Sequence, residues 1–379
     1  MTPETVVIDV APGAAQESQS GLQAMRPRIW GALARPAAST RTACIVIHPT
    51  SNFMGHYLLA PLAERGVACL GLNTRYQGND SVLLLERCIQ DLGAGVKWLR
   101  AQGFERVVLI GNSGGGALVS LYQAQAENLT ITHAPSGDPV HLHKDDLPPA
   151  DGIALCAAHL GRSRLLRMWA DPAVIDETDP VASDPALDMF DPANGPPFSA
   201  EFMDRFRAAQ LARVQRLEAW CRARLRQLRA IPGGPTDMAF VVHRTLADPR
   251  TLDPTIDPND RAPGTTVWGP PKQQNYAANS MGRTTSLTAF LSQWAPCSQG
   301  DGPTNLARTS IPVLLMEHTG DSSVFPSDNE EWARAAAGRV TRERLEKGTH
   351  YLAGQPHLVV QLADAIAAFA LGKTKGGLH

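Results

Sequence analysis

The stretch Val107-Val108-Leu109-Ile110-Gly111-Asn112-Ser113-Gly114-Gly115-Gly116 decides how the rest of the chain is read. A short apolar run rich in β-branched residues and closed by turn residues predicts a buried strand. Ala117–Ala126 follows it with the apolar spacing of a helix. A serine between the two sits on a very tight strand-to-helix turn, and neighbours without side chains let such a strained turn close. The turn lifts the Ser113 hydroxyl off the sheet, toward the crevice outside the strand's carboxyl end. A helix starting just behind it adds backbone N–H groups and a positive dipole end, both suited to a developing oxyanion. A phosphate loop fits less well. Gly111–Gly116 lacks the Gly-Lys-Ser/Thr ending of a P-loop, and Ser113 stands where a dinucleotide fingerprint needs its second glycine.

Outward from this turn the pattern alternates. Ala43–His48, Val67–Leu72 and Gly152–Ala158 read as further buried strands, and Phe53–Arg65 and Val82–Gln102 as helices. Val6–Val10 and Ile29–Ala34 read as an opening antiparallel pair at a sheet edge. Strand–helix alternation of this kind predicts a mostly parallel sheet covered on both faces, an α/β fold. It resumes with Ile311–Met316 (strand), Glu330–Ala337 (helix), Val340–Leu345 (strand) and Leu358–Leu371 (closing helix).

Between the two halves the chain changes character and holds seven of its eight Asp-Pro pairs. Asp before Pro signals helix starts and turns, so this part is expected to hold several helices separated by stiff loops. Its longest helix is expected from about Ser199 to Ala230, with an apolar stripe of Leu211, Val214, Leu217, Cys221, Leu225 and Leu228. The arginines between Arg205 and Arg229 lie mostly off that stripe and are read as a solvated face. A nucleic-acid or acidic-membrane patch is the weaker reading of that face, and part of it could meet an anionic substrate or a second subunit. The expected division is 1–159 as first core part, 160–305 as insertion and 306–379 as second core part.

A serine is a poor nucleophile without a base, and the base needs an acid to hold its tautomer. The chain supplies both in the order Ser…Asp…His. The loop after the Val313–Met316 strand carries Asp321, the expected acid; Glu317 is the alternative, and Asp328 is expected to cap a helix at Glu330. His350, in Gly348-Thr349-His350-Tyr351-Leu352, is the expected base, while His318 precedes the acid and His357 lies deep in the closing segment. Gly114 is the expected oxyanion donor next to the serine. The loop His48-Pro49-Thr50-Ser51-Asn52 ends beside it, and since Pro49 has no N–H, Thr50 is the expected second donor. His48, Ser51, Arg75, Tyr76, His159 and Trp169 are candidate substrate contacts. Phe202, Phe206, Trp268, Tyr276 and Trp294 join Trp169 as candidate pocket aromatics, with core packing inside the insertion the stronger reading for any single one of them.

Composition narrows the classes. With 35 Lys+Arg against 37 Asp+Glu, the net charge of −2 lacks the basic excess of a general nucleic-acid binder. The longest apolar runs fall far short of the roughly 20 residues of a membrane span. Residues 1–25 have no basic start followed by an apolar block, so no signal peptide is expected. The six cysteines form no C-x-x-C, which leaves free thiols, no zinc knuckle and a reducing, cytoplasmic setting as the expectation. His141-Leu142-His143 beside Asp145 and Asp146 reads as a solvated loop before a metal site, and no cofactor or metal is expected.

Gly111–Gly115, the Gly320–Pro326 loop and Gly348–Leu352, in this order, resemble the α/β-hydrolase fold superfamily over about 25–160 and 305–375. The resemblance implies a Ser113/Asp321/His350 triad and a mainly helical cap inserted at about 160–305. It departs from the family pattern where many members have His-Gly and this chain has His48-Pro49. Serine at the nucleophile position sets aside the aspartate-dependent dehalogenase and epoxide-hydrolase chemistries. The expectation is a hydrolase of a carboxylic ester, thioester or lactone with a bulky apolar part, acting through an acyl-enzyme on Ser113. A C–C bond hydrolase of a diketone-like ring-cleavage product and a non-catalytic binding protein on the same scaffold are the alternatives. The expected partner is a small-molecule substrate, and a homodimer is left open.

Overall fold

The structure is a computed structural model and describes residues 2–10 and 27–373. Much of the stretch read for a leader, and the last six residues, lie outside the described residues. Eight strands form one sheet: β1 Glu4–Asp9, β2 Arg28–Ala34, β3 Thr42–His48, β4 Ala68–Asn73, β5 Arg106–Asn112, β6 Gly152–Cys156 and, after the insertion, two more. A two-stranded ribbon within the insertion, β7 Ala239–Val241 and β8 Thr284–Ser286, precedes β9 Val313–His318 and β10 Val340–Leu345. The sheet order is β1-β2-β4-β3-β5-β6-β9-β10. Only β2 runs against its neighbours; β4 through β10 in that order pair in parallel.

The apolar runs divide their side chains between the two faces by the period of two that a strand imposes. Ile45, Ile47, Leu70, Leu72, Leu109 and Ile153 pack under α2 (Leu85–Ala101) and α3 (Gly115–Glu127). Cys44, Val46, Cys69, Val108, Ile110 and Met316 face α1 (Leu59–Glu64) on the other side, together with the closing helix Pro356–Ala370. Burial on both faces is why these strands read as unbroken apolar runs.

The helix expected over Phe53–Arg65 shrinks to Leu59–Glu64. Its first half becomes a turn because side-chain amides take the backbone donors: Asn73 Oδ1 accepts from Phe53 N at 2.8 Å and Asn52 Oδ1 from Met54 N at 3.1 Å. The helix expected at Glu330 starts earlier, at Pro326. Asp328 therefore does not cap at Glu330 but sits in the first turn, accepting the Phe325 N–H at 2.9 Å.

Between β6 and β9 lie α4 (Arg162–Trp169), α5 (Ala200–Arg229), α6 (Pro271–Tyr276), α7 (Leu287–Gln293) and α8 (Gly302–Leu306). The Ser199 hydroxyl caps α5 by accepting from Phe202 N at 3.1 Å. Its stripe Val214, Leu217, Cys221, Leu225 and Leu228 packs on Leu287, Phe290, Leu291 and Trp294. The arginine face is less open than its sequence suggested. Arg213 is fully buried against Glu177 (2.7 Å), and Arg207 and Arg229 pair with Asp248 (3.0 Å) and Asp138 (2.7 Å). Most Asp-Pro pairs start turns rather than helices. Asp179, Asp191 and Asp253 each accept the N–H two residues on, at 3.0, 2.9 and 2.9 Å, which closes the chain before a helix can grow. After β9, α9 (Pro326–Ala335) leads to β10 and the closing helix α10 (Pro356–Ala370).

Candidate active site

Ser113 lies between β5 and α3 with φ 54°, in the left-handed region that costs a non-glycine residue about 1–3 kcal/mol. The surroundings hold it there. Its N–H donates to Cys156 O at 3.2 Å, and its carbonyl accepts from His159 N at 3.0 Å and Gly116 N at 3.1 Å. The turn packs so closely on β3 that a Cβ on Gly115 would lie 2.0 Å from Ile47 O. The glycines are therefore a consequence of backbone approach.

Parallel strands bring the ends of β3, β5, β6, β9 and β10 to one rim, where three predicted residues meet. His350 Nε2 is 3.1 Å from Ser113 Oγ, and His350 Nδ1 is 2.7 Å from Asp321 Oδ2. Asp321 Oδ1 accepts from Ser323 N at 2.7 Å and Val324 N at 3.1 Å, which fixes the carboxylate's orientation. Burial pushes the Asp321 carboxyl up, yet the adjacent His350 imidazole and its hydrogen bond outweigh burial and hold it below the usual carboxylate range. An ionised Asp321 keeps the proton on Nδ1, so the Nε2 lone pair faces the serine hydroxyl. Glu317 is excluded as the acid by geometry: it turns to Arg342 at 3.5 Å and Arg344 at 3.8 Å. His318, set aside as a base, has a positioning part that spacing alone did not reveal. Its Nδ1–H donates to the Thr349 carbonyl at 3.0 Å, and Thr319 Oγ1 accepts from Lys347 N at 2.7 Å, tying the β9 loop to the loop that carries His350.

The loop after β3 departs from expectation. The Thr50 N–H does not point to the serine; it donates to His48 Nδ1 at 3.1 Å, and the Ser51 N–H joins it at 2.9 Å. Thr50 Oγ1 in turn accepts from Arg162 Nη2 at 2.9 Å. The Gly114 N–H, by contrast, donates to no other described residue, and so remains open to a ligand at the serine.

No family model matches the chain, and no curated protein matches it. Among solved structures, a hypothetical protein from Pseudomonas aeruginosa is similar at 14% identity, over 98% of this chain and 94% of that one, with a TM-score of 0.50. The esterase domain of a Rhodothermus marinus protein is similar at 14% identity over 98% of both chains, with a TM-score of 0.48. A parallel sheet with one reversed strand near its edge, a serine turn after β5, an acid after β9 and a histidine after β10 together decide the architecture. The chain has the α/β-hydrolase fold.

Other candidate residues at this α/β-hydrolase rim separate into two groups. His159 and Trp169 are at the site: the rings of His159 and His350 lie 5.4 Å apart, and Trp169 meets His159 edge-on at 5.7 Å and Trp268 at 6.0 Å. Burial, then repulsion from His350, brings His159 down to about 3, so it stays neutral. Arg75 and Tyr76 are not brought to the serine. Arg75 Nη2 pairs with fully buried Asp91 at 2.7 Å, and Tyr76 is 2% exposed. Phe202 and Phe206 fill the insertion's own core with Met189 and Ala247, and Tyr276 lies under Arg244 at 4.7 Å.

Thr50, Asp80, Trp268, Gln274, Asn279 and Met281 line a cavity of about 310 Å³ between the β3 loop and the insertion. Arg162, which the sequence did not single out, is buried against the Trp294 ring at 4.9 Å and reaches Thr50 Oγ1 at 2.9 Å and Asp80 at 3.4 Å, both in that lining. Among the described residues, no group of three or more His, Cys, Asp or Glu is arranged to hold a metal ion, and His141 and His143 are exposed. No helix among the described residues is long and apolar enough to cross a membrane.

Proposed function

We propose that the chain is a serine hydrolase of carboxylic esters, thioesters or lactones. The observation that carries the reading is the unbroken contact from Ser113 Oγ through His350 to the buried Asp321, at 3.1 and 2.7 Å. The Ser113 oxygen attacks the substrate carbonyl carbon as its proton passes to His350 Nε2, and the carbonyl electron pair moves onto oxygen. Collapse of the tetrahedral adduct expels the alcohol or thiol, which takes the proton from His350, and leaves an acyl group on Ser113. Water, deprotonated by the same imidazole, releases the acid. Asp321 stays ionised, orients the ring and stabilises the transient imidazolium.

The insertion, about 160–305, acts as a cap, and Trp169 and Trp268, which meet each other edge-on with His159 edge-on to Trp169 beside His350, offer the surface for the bulkier apolar part of the substrate. Free thiols at Cys44, Cys69, Cys88, Cys156 and Cys221, all buried, suit a reducing cytoplasm.

The test pairs a fluorophosphonate probe with a series of p-nitrophenyl esters and a vinylogous diketone. The wild type is expected to label once and to cleave the esters, and Ser113→Ala to do neither. An inert wild type, equal labelling of Ser113→Ala, or cleavage confined to the diketone would overturn the ester reading.

A further inference from the structure

We propose that the second oxyanion donor of this site is a side chain, the Nε2–H of His48, in place of the backbone N–H that the β3 loop would otherwise offer. The inference rests on the serine-hydrolase reading and deepens it.

Three observations converge. First, the loop after β3 has no free backbone donor at its start: Pro49 has none, and the Thr50 and Ser51 N–H groups both point at His48 Nδ1, at 3.1 and 2.9 Å. Second, those two bonds assign the tautomer. A ring nitrogen that accepts two N–H groups carries no proton, so the imidazole proton sits on Nε2. Third, Nε2 faces the nucleophile's turn. A Cβ built on Gly114 would lie 2.8 Å from His48 Nε2, closer than real side chains approach, so glycine after Ser113 is what lets the ring reach this spot. Nε2 itself hydrogen-bonds to no other described residue, although His48 is only 7% exposed. An N–H left open beside Ser113 is free to donate to a ligand atom there.

The ring is also held for this task. Phe53 packs on it at 5.7 Å between ring centres. Burial, and then the positive charge of Arg162 and the imidazoles of His159 and His350, lower its proton affinity well below the ordinary histidine value. A neutral imidazole is thus retained, and a neutral imidazole N–H is an effective electrophile toward a developing oxyanion. Arg162 steadies the arrangement by donating to Thr50 Oγ1 at 2.9 Å. In the reaction the Nε2–H donates a hydrogen bond to the carbonyl oxygen as Ser113 Oγ bonds to carbon, alongside the Gly114 N–H. No proton leaves His48, and His350 alone moves the serine proton.

The experiment uses the full chain with a p-nitrophenyl ester and an aryl trifluoromethyl ketone, which forms a hemiketal on an active serine. His48→Leu removes the donor, and kcat is expected to fall about 10²–10³-fold with KM within a few fold, the loss seen for a single oxyanion donor. His48→Gln places an amide N–H near the same spot and an oxygen near Nδ1, and should recover part of that loss, which a purely structural role would not predict. Inhibition by the ketone should weaken in step with kcat. Should either variant not fold, a crystal structure of the wild-type hemiketal decides, with its oxygen expected about 2.7–3.1 Å from both His48 Nε2 and Gly114 N. A kcat within threefold of wild type for His48→Leu, or a hemiketal oxygen bound by Thr50 N with the imidazole turned away, would overturn the assignment while leaving the hydrolase reading intact. A wild type that forms no adduct and cleaves no ester sinks both.

Discussion

Replacing Asp321 by Asn tests the proton relay with almost no change in shape. Asp321 Oδ1 already accepts from Ser323 N at 2.7 Å and Val324 N at 3.1 Å. In the variant the amide oxygen must keep those two donors, because an NH₂ facing them would oppose donor to donor. The amide nitrogen then replaces Oδ2, 2.7 Å from His350 Nδ1, and donates to it. The imidazole proton is thereby driven to Nε2, where it points at Ser113 Oγ, and the ring can no longer take the serine's proton. An inverted tautomer of this kind costs about 10⁴-fold in kcat, which is about 5.5 kcal/mol of transition-state stabilisation. The assay is steady-state hydrolysis of a p-nitrophenyl ester, with fluorophosphonate labelling rates measured in parallel. Melting temperature should move little, since the two bonds that hold the loop survive. A variant within tenfold of wild type, with Ser113 still required, would refute the reasoning and return the acid's role to another carboxylate.

Two further outcomes follow from groups away from the serine. Arg75→Met leaves Asp91 buried without its cation, and losing one partner of a buried pair costs about 3–5 kcal/mol. A clear drop in urea midpoint with KM unchanged is expected, whereas a raised KM at unaltered stability would restore Arg75 as a substrate contact. Asp248 bears on pH. Burial pushes its carboxyl up, but Arg250 and Arg207 outweigh burial and bring it to about 2. Its folded value lies below its unfolded value of about 3.9, so its contribution is full above about pH 4 and is lost as pH falls toward 2, a loss of about 2–3 kcal/mol. Urea unfolding at stepped pH should show Asp248→Asn losing less stability than wild type across that window; parallel curves would refute it.

Legibility in the sequence followed range. Where a signal is carried by neighbours along the chain it read correctly: the strand–Ser113–helix turn, the antiparallel opening pair and the α5 stripe all depend on local period. The Phe53–Arg65 helix failed because Asn73, from the next strand, and Asn52 took the donors of its first half. Arg213 was read as solvated because nothing along α5 announces Glu177, 36 residues earlier in the chain, as its partner.

By itself the sequence determined the strand–helix alternation, the place of the tight turn at Ser113 and the order Ser113, Asp321, His350, because apolar period, glycine and chain order are one-dimensional properties. Only the tertiary structure decided that Asp321 rather than Glu317 meets the imidazole, that Thr50 turns its N–H away from the serine, and that His48 faces Gly114. Those outcomes depend on the direction of individual hydrogen bonds between segments far apart in the chain. A residue's identity names which bonds it can make; the packing of β3, β5, β9 and β10 at one rim selects which of them it does make.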